Sequence, residues 1–85
     1  MHPKEAFGLT LKRLRTKCGL AQEALAHDAG LSLTSLARVE TGRQEVRFGT
    51  MLRLASALGI SGQKLVAEVE ATLKRGSRRP SSGRE

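Results

Sequence analysis

Four glycines, at positions 19, 30, 42 and 59, divide the chain into short stretches within which apolar residues recur three and four apart. That spacing is one face of an α-helix, and glycine accepts the left-handed backbone on which many helices end. In the first stretch Phe7, Leu11, Leu14 and Cys18 fall on one face, which predicts a helix over Ala6–Lys17 behind a polar lead at residues 1–5. Cys18 is read as a small, semi-buried residue. A second helix is expected from Gln22, with Leu25, Ala26 and Ala29 inward and Gly30 as its stop. Ser32 is a suitable N-cap for a third helix over Leu33–Glu40, whose inward residues are Leu36 and Val39.

Beyond a basic loop from Gly42 to Arg47, the residues Phe48, Met51, Leu52, Ala55 and Leu58 mark the apolar face of a fourth helix that ends at Gly59. Ser61 caps a fifth, with Leu65, Val66, Val69 and Leu73 on its apolar side. From Lys74 the pattern stops. The segment KRGSRRPSSGRE offers nothing apolar to bury, so residues 74–85 are expected to form a disordered basic tail behind a domain at 6–73. Aromatic residues make up only 2% of the 85, so the core is built from Leu, Val and Ala, which favours helices over sheet. The expected fold is one all-α domain of five helices.

The formal charge of +7 calls for a polyanionic partner, nucleic acid before an anionic membrane surface. No stretch has the length of a membrane span, and MHPKEAFGLT has no signal-peptide core, so a cytoplasmic setting is expected. His2 and His27 are far apart and Cys18 is single, so no metal site, cofactor or enzyme chemistry is expected. By contrast, two short helices joined by a tight glycine turn, with small Ala26 where they cross, read as a helix-turn-helix. Other small helical domains contain such a corner without touching DNA.

The longer string FGLTLKRLRTKCGLAQEALAHDAGLSLTSLARVETGRQ, followed by MLRLASALGIS, resembles the phage lambda repressor and Cro-like family of helix-turn-helix regulators. The resemblance covers about Phe7 to Leu65. It implies a five-helix domain whose third helix enters the DNA major groove while the start of the second rests on the sugar-phosphate backbone. Gln22 matches the family's backbone-contacting glutamine. Leu33, Thr34, Ala37 and Arg38 match its base-reading positions: Arg38 suits guanine O6 and N7, Leu33 and Ala37 a thymine methyl, and Thr34 a base edge or a phosphate. Arg43 and Arg47 fall where the family contacts phosphates, and are otherwise solubilising charge. Arg15 and Glu40 match a pair that the family uses as an internal ion pair.

The chain departs from the pattern in three places: Ala21 stands where the family prefers a Ser or Thr N-cap, Val46-Arg47 replaces the usual Pro-Ser before the fourth helix, and Gly49 sits inside that helix's first turn, so a more mobile loop is expected there. The first should loosen the start of helix two by about 1 kcal/mol. The function implied is a transcriptional regulator that binds double-stranded DNA as a homodimer, with Val66, Val69 and Leu73 partly at the dimer interface. An antitoxin that also binds a toxin protein is the alternative. An interaction adaptor without DNA binding would leave the charge unexplained.

Overall fold

The computed structural model describes residues 1–77. Among the described residues there are five helices and no strand: α1 (Pro3–Lys17), α2 (Gln22–Ala29), α3 (Leu33–Glu40), α4 (Phe48–Ala57) and α5 (Gly62–Ser77). The residues expected to be a polar lead are instead mostly helical. Pro3 presets the backbone of the first turn, where its missing N–H is no loss. The Glu5 carboxylate accepts a bond from the His2 N–H at 2.9 Å, so α1 starts three residues before Ala6.

At the other end α5 runs past Leu73, so Lys74–Ser77 are helical rather than tail. The rest of the expected tail, Arg78–Glu85, lies outside the described residues. Two of the expected caps are made: Ser32 Oγ accepts from the Ser35 N–H, and Ser61 Oγ from the Lys64 N–H, both at 3.0 Å. Ala21 supplies no side-chain bond to α2.

The core is Leu11, Leu25, Ala26, Ala29, Leu36, Val39, Leu54 and Leu58, with Leu65 also fully buried. Leu54 is the inward residue that periodicity missed. α4 is apolar nearly all round, so two stripes of helical spacing overlap on it, and the one turned inward is Thr50, Leu54, Ala55 and Leu58. Phe48 and Leu52 of the expected stripe are turned outward. Cys18, read as semi-buried, is exposed, and Leu20 after it packs on the core in its place.

α5 lies along α1, the most extensive helix pairing in the molecule. The Thr10 and Thr72 hydroxyls meet at 2.7 Å within that buried contact. Since Thr72 gives its own proton to the Glu68 carbonyl at 3.1 Å, Thr10 is the donor to Thr72. At the surface, Arg13 and Lys64 both reach Glu68, at 2.8 and 3.1 Å. The hydrogen bond from Arg13 and then the nearby Lys64 hold the Glu68 carboxyl below the ordinary carboxylate range. Exposed pairs of this kind contribute little to stability.

α1 meets the end of α3 through Gly8. A Cβ there would sit 2.8 Å from the Glu40 carbonyl oxygen and closer still to that of Val39. Both are backbone atoms that cannot swing aside. In an open helix Gly→Ala gains roughly 1 kcal/mol; here the clash reverses the sign. Gly8→Ala should lose about 2 kcal/mol or more, as overpacked sites do, and appear as a lowered Tm in a thermal melt.

Candidate nucleic-acid interface

α3 has two unlike sides: Leu36 and Val39, three apart, turn inward, and Leu33, Thr34 and Arg38 turn outward. Leu36 and Val39 are fully buried, which fixes how the helix rolls on the core. That roll leaves Leu33, Thr34 and Arg38 exposed and Ala37 half-buried, so the four predicted base-reading residues share the outer side of one helix. The turn before α3 follows from Gly30, whose φ of 73° is the left-handed conformation that a side chain would resist. Its N–H bonds the His27 carbonyl, and the Leu31 N–H bonds that of Ala26, closing α2 within one residue. α2 and α3 thus make a helix-turn-helix, with Ala26 buried in it.

The far end of α3 is closed by side chain and backbone together. Thr41 Oγ1 lies 3.0 Å from the Ala37 carbonyl and 3.2 Å from that of Arg38, while the Arg43 N–H bonds the Arg38 carbonyl at 2.9 Å. Arg43 leaves the helix exposed. Arg47, also exposed, occupies the N-cap position of α4 without bonding it through its side chain. The two arginines therefore bracket the loop between α3 and α4.

Behind the exposed side, Arg15 of α1, Gln22 of α2 and Glu40 of α3 are brought together. Arg15 donates from Nε to Glu40 Oε2 at 2.7 Å and from Nη2 to Oε1 at 3.1 Å, a two-bond fork. Its Nη1 donates to the Leu20 carbonyl at 2.8 Å. The Glu40 side chain is only 2% exposed and that of Arg15 13%. Gln22 Nε2 donates to Glu40 Oε1 at 2.9 Å, a bond that the sequence did not announce. An ionised carboxylate only accepts, so it fixes which way the amide points and leaves Gln22 one free amide N–H.

Sequence reasoning also missed Arg53. It donates from Nε to the Ala29 carbonyl at 3.1 Å and from Nη2 to Thr50 Oγ1 at 3.3 Å, fastening the end of α2 to α4. The only trace of this in the sequence is the three-residue step from Thr50 to Arg53. Of the residues assigned to a dimer interface, Val66 is exposed, Val69 and Leu73 are half-buried, and all three lie on α5. Among the described residues no group of His, Cys, Asp or Glu is placed to hold a metal ion, and no helix is long and apolar enough to cross a membrane.

Residues 6–69 match the family model of the helix-turn-helix domain. The chain belongs to that family. It is 35% identical over 72 residues to the uncharacterized HTH-type transcriptional regulator y4dJ of Sinorhizobium fredii, a match covering 85% of this chain and 94% of the relative. Among solved structures it resembles the restriction-modification controller protein C.AhdI from Aeromonas hydrophila, at 40% identity and a TM-score of 0.70 over 73% of this chain and 94% of the other. The clp gene regulator ClgR from Corynebacterium glutamicum superposes with a TM-score of 0.86 at 26% identity, over 91% and 82% of the two chains. The five-helix architecture is therefore that of the lambda repressor and Cro-like helix-turn-helix proteins, and the family is not one of enzymes.

The packing makes one stability test direct. Arg15→Met should lower stability by about 3 to 5 kcal/mol, because Glu40 would remain buried with its charge uncompensated. The Arg15→Met, Glu40→Met double variant should lose less than the sum of the singles in a thermal or denaturant melt. Additive losses would mean that the two side chains act independently.

Proposed function

We propose that this protein is a sequence-specific double-stranded DNA-binding transcriptional regulator, a repressor or autoregulator that reads a short pseudo-palindromic operator with α3 in the major groove. The observation that carries the reading is the outer side of α3. It joins an arginine, a threonine and two apolar residues on a helix whose other side is locked into the core. Arg38 offers two parallel N–H groups to guanine, and Leu33 and Ala37 offer apolar contact to a thymine methyl. Thr34 bonds a base edge or a phosphate. Arg43 and Arg47, at the two ends of the loop that follows that helix, neutralise phosphates, Gln22 adds its free amide N–H at the start of α2, and the charge of +7 supplies general attraction to the duplex.

The names of the similar proteins, a gene regulator and a restriction-modification controller among them, agree with regulation of transcription. One α3 reads too few base pairs to single out an operator among a genome's competing sites, so the working unit is a homodimer. Its two third helices lie about 34 Å apart, one turn of DNA, and the copies meet through the α5 side of the domain, at Val66, Val69 and Leu73.

Titration of one selected duplex at several salt concentrations tests the reading, since affinity should fall steeply as salt rises. A flat response, or equal binding to every sequence at moderate salt, would sink it. Arg38→Ala should cost about 1 to 3 kcal/mol on the preferred site and relax preference at one base pair. Arg43→Ala should instead weaken selected and random duplexes alike and lower the salt slope by about one. If both variants weaken all sequences equally, α3 is not the reading helix.

A further inference from the structure

The chain has two phenylalanines, and they sit in opposite ways. Phe7 of α1 packs half-buried against the core. Phe48, the first residue of α4, is 72% exposed, the most exposed of the large apolar side chains. It is not isolated, because Leu52 and Val66 are each 43% exposed and border one groove with it. Phe48 is a wall shared by two grooves. One, of about 400 Å³, is lined by Phe7, Val46, Met51 and Val69; the other, of about 480 Å³, by Leu52, Gly62, Val66 and Ala67. A monomer gains nothing from holding an aromatic ring in water between two apolar hollows, and a contiguous patch of this kind marks an interaction site.

Charge narrows the occupant. In a chain of net charge +7, the linings of both grooves hold one cation, Lys4, and two carboxylates, Glu45 and Glu70, so acid outnumbers base there. Such a lining offers nucleic acid or anionic lipid no cluster of cations to bind. The chain's own segment beyond the described residues, RRPSSGRE, has no apolar side chain larger than proline to fill a groove. A second copy fits on both counts. Two copies of charge +7 repel each other least where their cations are fewest, and this surface carries both the projecting ring and the hollow beside it. A two-fold contact requires that kind of self-complementarity.

We infer that Phe48 is the anchor of the contact between two copies, the ring of each entering the groove beside Phe48 of the other. The inference rests on the dimer of the proposed function and moves its centre from the end of α5 to the first turn of α4. Val66 and Val69 stay at the contact as groove walls, and Leu73, which lines neither groove, is outside it. Each ring meets Phe7 and the partner's Phe48 in edge or offset contact and the Met51 thioether beside them, so it loses its water on both faces.

Sedimentation velocity of the full chain over a concentration series, alone and with a two-half-site duplex, tests this against Phe48→Ala and Val66→Lys. The dimer of Phe48→Ala should be at least about thirtyfold weaker than the parent, as expected of a hot-spot aromatic, with unchanged helicity by circular dichroism because the ring is exposed in each copy. Val66→Lys should also dissociate the dimer, and rising salt should partly restore it by screening the new charge. A parent that dimerises while both variants dimerise equally well would overturn the inference and leave the dimer of the proposed function standing on Leu73. A parent that is monomeric at every concentration and on the duplex overturns both.

Discussion

The rest of the architecture depends on the bidentate contact between Arg15 and Glu40. Glu40 is the last residue of α3, where the helix dipole is already negative and unpaired carbonyls gather, so a buried carboxylate there is doubly unfavourable without a cation. Arg15 answers it from another helix with two parallel bonds of 2.7 and 3.1 Å and uses a third donor on the Leu20 carbonyl. The same carboxylate then orients Gln22. One charge thereby sets the relative positions of α1, the start of α2 and the end of α3. A hydrophobic trio would hold these elements as tightly but would tolerate sliding; a fork of hydrogen bonds does not.

That rigidity matters because α3 is only eight residues long. Isolated, it would not stay helical in water. Its conformation is held by the Ser32 cap, by the Thr41 hydroxyl at the other end, and by Leu36 and Val39 in the core. Gly8 allows the α1 backbone to approach the α3 carbonyls closely enough for Arg15 to reach Glu40. The exposed side is thus free of structural duty.

The places where the sequence was readable and where it was not divide along physical lines. α2 and α3 could be read to the residue because serine, glycine and a narrow apolar stripe mark their ends and inward sides. The start of α1 was hidden by reading Pro3 and Glu5 as mere polarity rather than as an N1 proline and a capping carboxylate. α4 was misjudged in rotation because Phe48, Met51, Leu52, Leu54, Ala55 and Leu58 satisfy two helical stripes at once, and only packing against α2 and α5 chooses between them. Arg53 and the Gln22–Glu40 bond were out of reach: each joins residues of different helices 18 or 24 positions apart, and helical spacing carries no information about such pairs.

The misjudged rotation of α4 also explains how a chain with so small a core has apolar residues to spare. If the outward stripe were the buried one, Leu54 would face solvent and Phe48 would close the core. Because Leu54 and Leu58 close it instead, Phe48 and Leu52 become surplus to the monomer. Excess apolar surface on one side and excess positive charge over the rest are then two halves of one arrangement. The charge favours a polyanion and opposes association of free copies, and the proposed contact at Phe48 would gain wherever that charge is neutralised. On a duplex, phosphates would reduce the repulsion between two bound copies, and the proposed contact would leave the grooves available to each other. Binding to DNA and binding to a second copy would therefore reinforce each other without any change in the fold of either one.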